Sequence, residues 1–172
     1  MYVGKKVTRV DAHDKAMGRT RYTDDLCDKS AYIIRVLHST IANGRVISID
    51  TSEAEQIPGV VKIFTCFDLK EKHYFPTAGH PWSTDPSHQD VADRLIMTER
   101  VRFYGDDIAA VVAENEVAAA QALRALRVEY EEYPFVLDVQ EAMKPDAPLL
   151  HEEFPNNILA HTTIRNGNYE EA

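Results

Sequence analysis

Three histidines, His73, His80 and His88, are the best candidates for a metal site in this sequence. Zinc ligands converge to within about 2 Å of the ion, usually from pairs that are only a few residues apart. These histidines are instead seven and eight positions apart in a segment without a regular period. Since that spacing does not make them converge, we interpret them as surface or loop-packing residues and predict no metal site.

Two pairs of adjacent carboxylates, Asp24-Asp25 and Asp106-Asp107, are candidates for acid–base chemistry. Adjacent side chains on an extended chain point to opposite faces, so such pairs rarely form a catalytic dyad. We predict that both pairs form turns. The Gly105-Asp106 step is then the bend that leads into the next strand.

The candidate nucleophiles also lack a catalytic setting. Ser39 directly follows His38, but adjacency does not bring a nucleophile and its base together in space. Cys27 and Cys66 share no metal-type spacing, and Cys66 suits a small buried apolar position. The sequence contains no G-x-G-x-x-G motif and no phosphate-binding loop. We therefore predict no catalytic, cofactor-binding or metal-binding residue in this chain.

Residues 71–99 form a segment that is longer than most loops inside a compact domain. It contains the chain's one tryptophan, Trp82, two positions after His80. A tryptophan in a Gly/Pro-rich segment either anchors that segment on the core or presents a surface to a partner. We predict that His80 and Trp82 contribute to an interface with another domain or subunit.

The strongest structural pattern runs from Tyr104 to Pro134 and predicts a turn, a strand, a helix and a second strand. The strand Ile108–Ala113 has no polar alternation, so both of its faces should be covered. The returning strand is Val128–Glu132. A strand, helix and strand in this order predict a right-handed parallel crossover at 108–132 within a mixed sheet.

The helix within this pattern is predicted at Glu116–Arg127, with Asn115 as its N-cap. Its apolar stripe is predicted at Val117, Ala120, Leu123 and Leu126.

The rest of the chain follows the same alternation of strands and short helices. Asn43-Gly44 is a strong turn dipeptide, and Ser52 and Glu55 have the spacing of a capping box. The further elements predicted are strands at Tyr32–His38, Val46–Asp50 and Val60–Thr65, a helix stop at Pro58-Gly59, and a helix Val139–Met143 capped by Asp138.

Composition restricts the class of partner. The net charge is −9, from 19 basic and 28 acidic residues, and no basic run interrupts the acidic background. Nucleic acid and anionic membranes are therefore not expected partners. With two cysteines, no apolar run of membrane-spanning length and no apolar signal core near the N-terminus, we expect a cytoplasmic protein.

Several sequence blocks, in their order and spacing, resemble one known family from about Val10 to the end of the chain. The blocks are RVDA at 9–12, GRTRYTDD at 18–25, SIDTSEA at 48–54, IPGVV at 57–61, GDDIAAVV at 105–112 and VEYEEYP at 128–134. They resemble the N-terminal a/b hammerhead domain of the molybdenum-binding subunit of xanthine dehydrogenases and aldehyde oxidases. FPTAGHPW at 75–82 is most similar to bacterial xanthine dehydrogenases.

The resemblance implies an α+β hammerhead fold that supports a purine hydroxylase acting on xanthine or hypoxanthine. In the family, a molybdopterin cofactor is bound by a much larger region that follows this domain, and iron–sulfur clusters and FAD lie on partner domains or subunits. No position in this sequence matches the family's pterin-contacting or catalytic residues. The chain alone is therefore expected to be inactive.

The resemblance also suggests how the chain is divided. We expect an extended arm at 1–30, the hammerhead core at 31–143, and an extension at 144–172 that leads toward the molybdopterin-binding domain. The alternative is a stand-alone binding module that shares the fold and has no enzymatic role.

Overall fold

The computed structural model describes residues 3–69, 93–159 and 167–168. The chain divides into two compact units, Met1–Tyr32 and Ile33–Ala172.

The first unit contains the short helices α1 (Ala12–Ala16) and α2 (Thr23–Leu26). Asp11 precedes α1 and receives hydrogen bonds from Arg9, with Lys15 2.9 Å away. Arg9, followed by Lys15, lowers the pKa of the Asp11 carboxyl.

The second unit is built from strands and short helices that follow the predicted order. In the described residues its strands are β1 (Ile33–His38), β2 (Gly44–Asp50), β3 (Val60–Thr65), β4 (Arg100–Val101), β5 (Asp107–Ala113) and β6 (Arg127–Glu132). Its helices are α3 (Ser52–Glu55), α4 (Glu116–Ala125) and α5 (Val139–Ala142), followed by a 3-10 turn at Pro155–Asn157.

The strands form two antiparallel sheets instead of one mixed sheet. In sheet A, β5 lies between β1 and β3; in sheet B, β2 lies between β4 and β6. The predicted parallel crossover at 108–132 is therefore wrong, although the strand, helix and strand all exist. Both edges of β5 are already hydrogen-bonded to β1 and β3, so β6 pairs with β2 in the other sheet.

Helix α4 covers the inner face of sheet A. Three alanines of α4, Ala118, Ala119 and Ala122, pack with Leu126 against Val111 and its neighbours on the sheet. The predicted stripe is wrong at its first position, because the side chain of Val117 is 66% exposed. The small side chains of Ala118, Ala119 and Ala122 form the face that meets the strands, and Val117 lies outside that face.

A second apolar cluster lies on the inner face of sheet B. Ile41, Val46, Val101 and Ile108 form its buried part. Ile108 belongs to β5 but reaches this cluster because the pairing of β1 with β5 shifts register between Leu37 and His38. Such a bulge redirects one side chain. Leu37 and Ile49 pack against both apolar clusters and so connect the interiors of the two sheets.

Local sequence signals explain where α4 and α5 begin. The Asn115 side chain accepts a hydrogen bond from the backbone N–H of Ala118 at 2.9 Å, and Asp138 caps α5, as predicted. The predicted capping box of Ser52 and Glu55 is wrong. The N-cap of α3 is Thr51, whose hydroxyl donates to the Glu55 carboxylate at 2.8 Å.

The Asn43-Gly44 step does not form a hairpin turn, because β1 and β2 belong to different sheets. Glycine is required at position 44 by close approach: a Cβ there would lie 2.3 Å from the backbone oxygen of Glu131 on β6. Gly44 therefore allows β2 and β6 to approach closely in sheet B.

Candidate functional site

The two adjacent aspartates before β5 have separate structural roles. The Asp106 carboxylate accepts hydrogen bonds from the backbone N–H groups of Arg102, at 2.7 Å, and Phe103, at 3.3 Å. Burial raises the pKa of Asp106, and these two hydrogen bonds oppose the rise. Asp107 instead pairs with His38 Nδ1 at 2.8 Å. The predicted turn is confirmed, and the two carboxylates do not form a dyad.

His38 and Ser39 do not form a nucleophile–base pair. The Ser39 hydroxyl is buried, donates to the backbone oxygen of Ile41 at 2.9 Å and accepts from the Ile41 N–H. The His38 ring is largely exposed and bound to Asp107. Ser39 therefore stabilises the chain after β1.

Neither cysteine is placed for nucleophilic chemistry. Cys66 is half-buried after β3, and burial, followed by the charge of Glu99, raises its pKa to about 11. Such a thiol is almost entirely protonated at neutral pH and therefore weakly nucleophilic. This agrees with the predicted packing role. Cys27 is exposed, and its thiol donates to the backbone oxygen of Thr23. The neighbouring Asp25 accepts from the N–H of Tyr22 at the start of α2. The predicted turn at Asp24-Asp25 is wrong, because both residues lie within helix α2.

A cavity of about 420 Å³ lies beside β4. Its charged lining mixes both signs: Asp93, Arg94, Arg100, Arg102, Asp106 and Asp107. The Nε of Arg102 is buried and has no hydrogen-bond partner in the part of the chain that the structure describes. The three acidic and three basic side chains balance in number, and none of the lining residues that the structure describes is an activated nucleophile.

Arg100 is fixed by contacts that sequence reasoning missed. Its Nη1 donates to the Asn43 side-chain oxygen at 2.7 Å, to the Gly44 carbonyl and to the Val101 carbonyl. Its guanidinium lies 5.2 Å from the centre of the Tyr133 ring. The Asn43 amide in turn donates to the Pro134 carbonyl at 2.7 Å. The two-residue spacing of Arg100 and Arg102 was the available signal, since it places both on one face of an extended chain.

Residues 17–134 match the family described as "Aldehyde oxidase and xanthine dehydrogenase, a/b hammerhead domain". The chain belongs to this family. The hammerhead domain is 38% identical over 163 residues to the xanthine dehydrogenase molybdenum-binding subunit of Escherichia coli O157:H7. It is 35% identical over 151 residues to a probable hypoxanthine oxidase of the same organism. These alignments cover 95% and 88% of this chain.

The fold of the hammerhead domain is shared with a solved relative. The aldehyde oxidoreductase from Desulfovibrio gigas aligns with a TM-score of 0.73 and 30% identity, over 86% of this chain and 16% of the longer one. This confirms the predicted α+β hammerhead fold. The chain spans 21% of the length of the xanthine dehydrogenase subunit that it matches.

The family is one of molybdenum enzymes, but this hammerhead domain offers no place for the metal in its described residues. No group of three or more His, Cys, Asp or Glu side chains there could hold a metal ion. We therefore assign no step of molybdenum chemistry to this chain.

The predictions for His73, His80, His88 and Trp82 fall outside the described residues. Among the helices that the structure describes, none is long and apolar enough to cross a membrane.

Proposed function

We propose that this chain is the N-terminal hammerhead domain of the molybdenum-binding subunit of a purine hydroxylase acting on xanthine or hypoxanthine. The observation that carries the proposal is the 38% identity, over 95% of the chain, to a xanthine dehydrogenase molybdenum-binding subunit. The identity to a probable hypoxanthine oxidase supports the same substrate class. We take the domain's own contribution to be structural, because Asp106 and Ser39 hold local turns and Cys66 is a half-buried packing residue.

The complete enzyme would hold a molybdopterin cofactor in the region after this domain, with iron–sulfur clusters and FAD on partner domains or subunits. Bound molybdopterin would supply a two-electron oxidation in which water provides the oxygen added to the purine carbon. Similarity to the nicotinate dehydrogenase large molybdopterin subunit of Eubacterium barkeri supports this cofactor class. The location would be the cytoplasm, which agrees with the two free thiols.

We further propose the division into an arm at 1–30, a core at 31–143 and an extension at 144–172 that leads to the cofactor-binding region. The relatives reported above are several times longer than this chain, which forms 21% and 15% of their lengths. That difference favours an enzyme subunit over a stand-alone interaction module.

The test is purification of the complete subunit, encoded by the gene that contains this sequence, together with its partners. We expect molybdenum in the protein and reduction of an electron acceptor that depends on xanthine or hypoxanthine. The matched assays use an aromatic aldehyde and carbon monoxide under the same conditions. Turnover of one of these, with none of purines, would reject the purine assignment. The 172-residue chain tested alone should show no turnover with any of the four substrates.

A further inference from the structure

Sheet A has an apolar face on the side opposite α4. Antiparallel partners share a face, and the register places Ile34 beside Val112 and Val36 beside Ala110 from one edge, with Phe64 beside Ala110 from the other. The helix covers the alternate residues of the same strands. We call this side the open face and define it by its apolar residues: Ile34, Val36, Phe64, Ala110 and Val112.

The open face is partly uncovered in the described residues. Ile34 is 64% exposed and Phe64 is 40% exposed, while Val36, Ala110 and Val112 are half-buried. Its charged member is Lys62, which pairs with Val112 and lies 5.9 Å from the centre of the Phe64 ring. Contiguous apolar surface of this kind marks an interaction site more often than a water-facing surface.

The outer face of sheet B is mainly polar, although Ile47 on β2 is 46% exposed. Arg45 pairs with Glu131 at 2.9 Å, and the Ser48 hydroxyl donates to Glu129 at 3.0 Å. Arg127 reaches Glu53 at 3.0 Å. Since these groups are exposed and already paired with one another, this face suits contact with water. Both sheets belong to the same compact unit, so the exposed apolar residues of sheet A are not a property of the whole unit.

We propose that the open face of sheet A binds an apolar surface of the polypeptide that follows the hammerhead domain in the complete molybdenum-binding subunit. This inference rests on the proposed function. Its support is the length of the relatives, in which about four-fifths of the chain lies outside the matched region. The lack of polar alternation in β5 agrees, because a strand of this pattern is covered on both sides.

The chemistry of the open face defines its partner. The part of the partner surface that contacts Ile34 and Phe64 is apolar. It carries a carboxylate or another acceptor opposite Lys62, because a buried ammonium without a partner is costly. The His38–Asp107 pair, which follows these rows on β1 and β5, forms a polar rim.

Cysteine labelling tests this surface without relying on activity. Ile34→Cys reports on the open face, and Ser48→Cys reports on the outer face of sheet B as the matched control. Both are made in a Cys27→Ser background, which removes the exposed native thiol. Cys66 remains, since its raised pKa slows alkylation. Maleimide labelling rates are measured in the 172-residue chain and in the complete subunit.

We expect rapid labelling at both positions in the 172-residue chain. In the complete subunit we expect labelling at position 34 to slow by at least about tenfold, with position 48 unchanged. Equal rates at position 34 in the two proteins would overturn the proposal. So would protection at position 34 already in the 172-residue chain, or equal protection at both positions in the complete subunit.

The labelling result and the proposed function can fail separately. A complete subunit that protects position 34 but oxidises no purine would keep the docking surface and reject the substrate assignment. A purine-oxidising subunit with unchanged labelling at position 34 would keep the function and reject the docking surface.

Discussion

Sheets A and B have the same design on their inner sides and opposite designs on their outer sides. Each places a central strand between two antiparallel neighbours and buries apolar side chains inside. Outside, sheet B presents paired charges such as Arg45 and Glu131, whereas sheet A presents Ile34 and Phe64. The described part of the structure covers one face of the apolar run in β5 with α4 and leaves the other partly exposed, and our proposal assigns that second face to a partner surface.

The largest effect is expected on the inner face of sheet A. Val111→Asp places an unpaired carboxylate where the side chain is 0% exposed, so we expect a loss of about 4 kcal/mol or more in the free energy of unfolding. Val112→Asp is the matched control, one residue along the same strand on the open face. It should cost the 172-residue chain much less, as measured by urea denaturation. Equal costs would mean that the two faces of β5 do not differ.

The next effect separates the two outer faces in the complete subunit. Ile34→Lys should lower its stability by about 2 kcal/mol, because docking would bury the new charge. The same change in the 172-residue chain should stay within about 1 kcal/mol, the range of strand propensity at an exposed site. Ser48→Lys, beside Glu129 on sheet B, should be tolerated in both proteins. Thermal unfolding measures all four, and equal loss in both backgrounds for Ile34→Lys would argue against docking.

A smaller effect is expected at the anchor of sheet B. In the described contacts sheet B depends on Asn43, which joins Arg100 to the Pro134 carbonyl. Asn43→Ala should cost about 1–2 kcal/mol, since it leaves buried polar groups without partners. Asn115→Ala removes only the N-cap of α4 and should cost about 1 kcal/mol. Urea denaturation of the two variants gives the order, and a larger loss at Asn115 would contradict it.

The smallest effect is a pH dependence at Asp106, in the turn that joins β4 of sheet B to β5 of sheet A. Burial raises the pKa of this carboxyl in the folded state above 3.8. The folded state therefore favours the protonated form, and stability is lost as pH rises from below 3.8 through the raised value. Asp106→Asn keeps an acceptor for the Arg102 N–H and avoids that loss. Urea denaturation at pH 3 and pH 7 should show the variant gaining stability relative to the native chain at the higher pH; a relative decrease would contradict the assignment.

Local signals in the sequence predicted the elements well, because they depend on neighbouring residues. The strand β5, the start of helix α4 and the caps Asn115 and Asp138 lie where local patterns and capping chemistry place them. Helix α4 ends at Ala125, before the predicted Arg127, which begins β6. Strand pairing was not predictable in the same way. Whether β6 joins β5 or β2 depends on which edges are already occupied, and no local pattern records this.

The candidate site shows the same limit. The Gly105-Asp106 step predicted the bend before β5, and the structure confirms it. The contacts of Arg100 with Asn43 join residues 57 positions apart, so the sequence offered only the strand spacing of Arg100 and Arg102. The interface role of His80 and Trp82 stays a prediction, because these residues lie outside the described part of the chain.

The pairing of β2 with β6 has a consequence during protein synthesis. Ser48 and Glu129, which are hydrogen-bonded across the two strands, are separated by 81 positions. At about 5–20 residues per second, the ribosome exposes the first strand for roughly ten seconds before its mate emerges. During that interval the unpaired edge of β2 can pair with other segments or chains. The yield of correctly folded nascent chains should therefore depend on translation speed and on chaperones that bind early segments.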